Sequence, residues 1–348
     1  RYLGGTLGGT WLTALAGDLG HGRFDGANLV ANFESMNPAN TYWEKPYNVY
    51  ANVDTEAERF LDFETWWGSP VLMNAGEMQW IADNLFVGNK LTAGKLRTSQ
   101  GLQIDLRNIQ APIIVFCSWG DNITPPQQAL GWITDLYATD RDLVASGQTI
   151  VYAIHETVGH LGIFVSGKIA TREHDEFAGA MDMIDLMPPG LYEAVIDEAG
   201  GATANRELIQ GSYLFRLEPR TLDDIRKLGE NSPEDDLKFE AVDRLSTINR
   251  RLYATYGQPL VGAMTPPAFG EWARKMHPNR MRFAIFSDEN PAMRLVAQSA
   301  EQVRKDRQAV AEGNPYSAAE KSVATAISST ITALGEARDA MTEQLFHY

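Results

Sequence analysis

The sequence predicts an α/β fold: a mostly parallel sheet, preceded by an aromatic, partly helical region and followed by a mainly helical one. Three observations predict it. An apolar run from Ile113 to Cys117 is bounded by Pro112 and Gly120, and a second run, "QTIVYAIH" at 148–155, follows after one helix-length segment. Uninterrupted apolar runs with abrupt polar ends are the pattern of strands buried on both faces of a parallel sheet. After about residue 207 strand signals fade, and apolar residues recur instead at helical spacing.

Residues 1 to 50 are rich in Gly, Asn and aromatics, with turn-forming pieces such as "NPAN", and read as loops around short helices. From about 54 to 88 the pattern is helical. Asp54 or Thr55 can cap the start, and Phe60, Phe63 and Trp67 fall three and four apart, a face suited to core packing. Residues 102 to 117 alternate briefly and then become the first buried strand. Thr124 suits an N-cap, Pro125 the first helical position and Gln127 a capping box, so a helix is expected to about Tyr137. Strand, helix and strand in this order form a right-handed crossover unit.

Beyond a soft boundary near 205, two helices stand out. One has Ser232 as cap, Pro233 at its first position, a stripe through Val242, Leu245, Ile248 and Leu252, and Gly257 as a stop. The other opens with Ser317 and Glu320 as a capping box and carries Val323, Ile327, Ile331, Leu334, Met341 and Leu345 on one stripe. That stripe is expected to pack on the core.

Composition excludes several classes of function. With 348 residues, 44% hydrophobic and 22% charged, the chain can bury a sizeable core. A net charge of −15 argues against a nucleic-acid partner, since phosphate backbones are held by clustered Lys and Arg. One cysteine, Cys117, excludes an internal disulfide framework and a cysteine-rich metal site. No run approaches the roughly 18 to 20 apolar residues that cross a bilayer, and the start lacks a secretory pattern, so a cytoplasmic location is expected. A homo-oligomer is left open. The chain begins at Arg1 and enters an apolar, glycine-rich segment at once, which reads as the interior of a longer protein; a fragment is expected.

The chemistry concentrates at the carboxyl ends of the two buried strands, where open α/β sheets collect functional groups. Asp121 lies just past the first strand and His160 just past the second. Neighbouring loops on one sheet edge can bring such a pair together, the aspartate holding the imidazole in one tautomer and stabilising its protonated form. The glycines in "VGHLG" allow the backbone to turn sharply around His160. A plain turn role for Asp121, bonding its own backbone, competes with this reading. "HETVGH" does not make a zinc-protease helix, because its histidines are five apart and would point about 140° away from each other on a helix. His174 and His21 lie in charged or loop segments and are expected to be structural or exposed. No G-x-S-x-G or cysteine equivalent precedes Asp121, and Cys117, inside the strand, reads as a small hydrophobic filler. Neither a cofactor nor a metal is expected; no G-x-G-x-x-G follows a strand.

"NKLTAGKLRTSQGLQIDLRNIQAPIIVFCSWGDNITPP" followed by "IHETVGHLGIFVSGK" resembles the carboxyl half of the catalytic domain of poly(3-hydroxyalkanoate) synthases. That family shows an Asn and Gly before a "DL..I..P" segment, a strand ending in "G..D.I.P", and a later "GH" before a small apolar run. "FLDFETWW" resembles the family's aromatic cap segment, and "GRFDGANLVANFESMNPANTYW" resembles the synthase-like branch labelled 3-hydroxyalkanoate synthetase. The resemblance covers about residues 1 to 180. It implies a partial α/β-hydrolase fold: core remnant and cap region at 1–100, the core half carrying acid and base at 101–205, and a helical region at 206–348. It further implies that Asp121 is the acid and His160 the general base of a triad whose nucleophile lies upstream. The implied activity is acyl transfer or ester hydrolysis on 3-hydroxyacyl thioesters or polyesters, with a polyester granule as a further partner. This chain departs from the family in lacking the nucleophile and in having "FVSGKIATRE" where an Asn-Pro pair usually follows the histidine. The alternative is a hydrolase-fold scaffold without chemistry, attached to granules through the helices after 230, of which the 317–346 helix is amphipathic.

Overall fold

The glycine-rich N-terminal region contains the expected short helices, at Tyr2–Thr6, Trp11–Leu19, Ala27–Met36 and Lys45–Ala51, with less loop between them than expected. The computed structural model breaks these helices at turns that include the positive-φ glycines Gly8, Gly9 and Gly22. It describes residues 2–162, 173–198, 213–229, 233–308, 310–311 and 313–347. The chain divides into two compact units, Arg1–Val87 with Ala241–Tyr348, and Gly88–Glu240. The boundary expected near 205 lies outside the described residues.

In the first unit two short strands, β1 (Arg23–Asp25) and β2 (Leu72–Asn74), pair antiparallel with Phe24 opposite Met73. The helix expected over 54–88 is broken. It runs over Val53–Trp67, stops at Gly68-Ser69-Pro70, and resumes as Ala75–Ile81 after β2. Proline biases the residue before it away from helix, so Pro70 turns the chain into the strand. Asn74 caps the resumed helix, its side chain accepting from the Glu77 N–H at 3.1 Å. The long helix Pro315–His347 is capped by Asn314, which accepts from the Tyr316 N–H at 2.8 Å, so the expected Ser317 box lies already within the helix. Its packed face is made of Ala324, Ile327, Ser328, Ile331 and Gly335, while Val323, Leu334, Met341 and Leu345 of the expected stripe are exposed. Small residues let the helix approach closely: a Cβ on Gly335 would stand 3.2 Å from Pro38. Gly257 likewise fails to stop its helix, which continues through a π-turn into Gln258–Met264.

The second unit is built on a four-stranded sheet in the order β3 (Ile113–Ser118), β4 (Thr149–His155), β5 (Gly190–Glu198) and β6 (Tyr213–Arg220). The first three are parallel and β6 runs antiparallel to β5. Both expected strands are present and adjacent, Ile113 opposite Ile150 and Ser118 opposite His155. Residues of β4 alternate between two buried clusters. Ile150 and Tyr152 join Leu130, Ile133, Leu143, Leu191 and Leu222 on one face, and Val151 and Ala153 join Phe177, Ile184 and Ile196 on the other. Burial on both faces is why the interior of β4, Ile150–Ile154, is apolar. The expectation that strands end by about 207 is corrected by β6, whose "YLFRLEPR" alternates charge with apolar residues because it is an antiparallel strand, and its arginines pair with carboxylates of its neighbours. No described helix is long and apolar enough to cross a membrane.

Candidate active site

The site is assembled where β3 and β4 end side by side. At the end of β3 the Trp119 N–H donates to the His155 carbonyl at 2.9 Å, extending the pairing one residue past the sheet. Gly120 then passes so close to the loop after β4 that a Cβ there would lie 2.2 Å from the Thr157 carbonyl oxygen. Only glycine fits this step. It throws the chain sideways and delivers Asp121 into a fully enclosed position, 2% exposed.

The two oxygens of Asp121 have separate duties. Oδ1 accepts the N–H groups of Ile123 and Thr124, at 2.8 and 2.9 Å. This fixes the turn that leads into the helix Pro126–Leu136, and it displaces the expected cap: Pro125 holds the N-cap position, no side chain caps there, and the helix begins one residue later than Thr124 and Pro125 would set it. Oδ2 accepts from Nδ1 of His160 at 2.8 Å. The turn role and the pairing role that compete in the sequence are therefore both filled, by different atoms of one carboxylate.

A carboxylate can only accept, so Nδ1 of His160 carries the hydrogen in the neutral ring and Nε2 keeps its lone pair. The ring is about one-third exposed while its partner is buried, side-chain values being 32% and 1%. Among the described residues Nε2 has no hydrogen-bond partner. The geometry is that of an oriented general base: one nitrogen anchored on a buried anion, the other presented outward.

The remaining histidines are placed elsewhere. His155, at the end of β4, uses Nδ1 to accept the Thr157 and Val158 N–H groups at 3.1 and 3.2 Å, while its Nε2 stands 3.9 Å from Glu173. His155 and His160 thus serve different partners and do not converge on a point. His174 is exposed with its ring edge-on to Phe116, and His21 is exposed with a positive φ of 51°.

Cys117 is 1% exposed in β3, its thiol directed to the Ala153 carbonyl at 3.6 Å. Burial first, and then the nearby carboxylates of Asp121 and Glu193, push the thiol up to about 12. A nucleophilic cysteine needs the opposite, an electropositive and partly open setting. Cys117 is a core residue.

The expectation that the glycines of "VGHLG" shape the site is only partly met. A Cβ on Gly159 would find its nearest neighbour at 3.9 Å, an ordinary contact, while one on Gly162 would lie 2.6 Å from the Val158 side chain. The indispensable glycine is Gly120, and its signal in the sequence was the Gly-Asp step three residues after the end of an apolar run.

The chain belongs to the family described as protein of unknown function (DUF3141), whose model matches residues 1–348. It is 54% identical over 346 residues to an "Uncharacterized protein in ackA 5'region" of Rhizobium meliloti, covering 99% of this chain and 47% of that protein. The chain therefore spans about half the length of this relative. It is also 26% identical over 142 residues to a "Poly(3-hydroxyalkanoate) polymerase subunit PhaC" of Haloferax mediterranei, covering 40% of this chain and 27% of that subunit. No solved structure matches.

Proposed function

We propose that Asp121 and His160 are the acid and general base of an acyl-transfer site of the α/β-hydrolase type, acting on 3-hydroxyacyl thioesters or their polyesters. The single observation that carries this reading is the 2.8 Å Nδ1–Oδ2 bond joining the ends of two adjacent parallel strands, with the anion buried and Nε2 presented outward. The partial similarity to a poly(3-hydroxyalkanoate) polymerase subunit supports the substrate class. Cys117 is unsuited to act as nucleophile, so the reading calls for a thiol or hydroxyl nucleophile other than Cys117.

In the reaction, Nε2 of His160 takes the proton of that thiol or hydroxyl as it attacks the acyl carbonyl. The thioester C–S bond of the substrate then breaks, and the imidazolium returns the proton to the departing thiolate. The acyl group next passes to a hydroxyl, of water or of a growing ester chain; the same nitrogen removes that hydroxyl's proton and returns it to the enzyme thiol or hydroxyl released as the acyl–enzyme bond breaks. Asp121 stabilises the imidazolium through Oδ2. The backbone N–H groups on Oδ1 keep the carboxylate from rotating away.

The test is made on the full-length protein with a 3-hydroxybutyryl thioester and an activated ester. His160→Ala and Asp121→Asn are each expected to lower turnover by about 10³- to 10⁴-fold while the thermal midpoint of His160→Ala stays near that of the parent. Turnover within twofold of the parent in His160→Ala would overturn the assignment and leave a hydrolase-fold scaffold as the better description.

A further inference from the structure

The helical unit contains a cleft that the Asp121–His160 pair does not use. It lies between residues 42–50 and the N-terminal part of the helix Pro315–His347, has a volume of about 540 Å³, and is lined chiefly by Tyr42, Trp43, Tyr47, Tyr50, Glu320 and Val323. A volume of this size is within the usual range for small-molecule sites.

One wall is aromatic and already assembled. The Trp43 and Tyr47 rings stack at 5.9 Å with their planes 8° apart, and Tyr50 follows at 6.1 Å from Tyr47. Trp43 is pinned across the cleft by its indole N–H, which donates to the Ala324 carbonyl at 3.0 Å. The rings are too close for a ligand to slip between them, so they offer a continuous face. Yet Tyr42, Tyr50 and Val323 are 60%, 66% and 58% exposed, an uncovered apolar surface around a concavity.

The charge in the cleft has one sign. Glu320 accepts the Tyr47 hydroxyl on Oε1 at 3.1 Å, and among the described residues its Oε2 has no partner. Partial desolvation, followed by the hydrogen bond and charge of Glu320, raises the Tyr47 phenol, so it remains a donor to the carboxylate. No Lys or Arg is among the described lining residues. An acyl thioester with its phosphates, or any carboxylate, would meet Glu320 and the negative faces of the rings. A neutral aliphatic chain would strip water from a carboxylate and return no hydrogen bond. A cation with an apolar coat satisfies both walls at once, through attraction to the ring faces and to Glu320. The net charge of −15 adds a long-range attraction of the same sign.

We propose that this cleft binds an organic cation bearing a quaternary ammonium group, with Trp43, Tyr47 and Tyr50 as its aromatic face and Glu320 as its counter-charge. The assignment is independent of the acyl-transfer reading and survives its failure.

Choline and its uncharged carbon isostere 3,3-dimethylbutan-1-ol separate charge from shape, and tryptophan fluorescence or calorimetry on the intact chain reads both. Choline is expected to saturate, with affinity at least about 5-fold above that of the isostere. Glu320→Gln and Tyr50→Ala are expected to weaken choline by about 3-fold or more each, with Glu320→Gln leaving the isostere unchanged. Tyr50 is largely exposed, so its variant retains the parent's melting temperature and the loss cannot be laid to unfolding. Equal affinity for choline and the isostere, absence of saturation, or choline binding unaltered in both variants would each overturn the proposal.

Discussion

The sheet unit and the helical unit differ in the balance of their buried side chains. In the sheet unit a continuous apolar core dominates, with Leu130, Ile133, Ile150, Val151 and Ile184 at 0% exposure, and the fully buried polar side chains Ser118 and Asp121 stand at the end of β3 and just beyond it. In the helical unit the buried side chains include Asp25, Glu34, Glu64 and Gln79, while Trp66, Phe86, Met264, Trp272 and Phe286 are exposed. The carboxylates there work as clips between distant segments. Asp25 holds Arg280, Glu34 accepts from Trp67 and Asn279 at 3.2 and 3.0 Å, Glu64 pairs with Lys45, and Asp83 pairs with Arg250. The sheet unit draws more on non-directional burial, the helical unit more on directional bonds between charged and polar groups. A site that needs a fixed 2.8 Å bond is carried by the first.

The comparison breaks most readily at the sheet. Leu130, on the helix that follows the Asp121 turn, fills the layer against β4, and Leu130→Ala is expected to cost about 2–5 kcal/mol. Chemical denaturation of the variant, monitored by far-UV circular dichroism, measures it. A cost under 1 kcal/mol would mean the sheet core is far looser than its burial implies, and the contrast between the units would fall.

Legibility in the sequence follows the same division. The runs Ile113–Cys117 and 149–155 were readable because burial on both faces leaves no room for polar residues, and their ends located Asp121 and His160. β6 was not readable, since an alternating strand with charged residues at every second position, Arg216, Glu218 and Arg220, looks like a charged surface until its partner strand is known. The stripes of the helical unit misled for the converse reason. Helical spacing reports that apolar residues share a face, not that anything covers it, and Leu245, Ile248 and Leu252 are about half exposed while Ser246 beside them is buried against Thr10. Ionic clips such as Arg280 with Asp25 join residues 255 apart and carry no local signature at all.

Those clips make the next prediction. Burial alone would push the Asp25 carboxyl up, but hydrogen bonds from Arg280 and the Ala27 N–H, with the charges of Arg280 and His277, together hold it below its ordinary 3.8. A depressed carboxylate contributes stability that is complete above its unfolded value, near pH 4, and is lost as pH falls through the lower folded value. Asp25→Asn is therefore expected to destabilise by about 1–3 kcal/mol at pH 7. The gap between parent and variant should hold from pH 7 to pH 5 and close below pH 4. A gap that stays constant down to pH 2 would show that packing, not the Arg280 pairing, is what Asp25 supplies.

The smallest expected effect tests the exposed stripe. Ile248 lies mid-helix with 55% of its surface free, and alanine is the better helix former, so Ile248→Ala is expected to change stability by no more than about 0.5 kcal/mol. Denaturant titration of the 348-residue chain gives the number directly. A cost near 2 kcal/mol would mean that the face through Leu245, Ile248 and Leu252 is covered in solution, and dilution would then identify the cover. A cost that falls away at low protein concentration points to a second copy of the chain, because only an association equilibrium depends on concentration. A cost that persists on dilution places the cover within the chain itself, and the helical unit would then have an apolar core of its own.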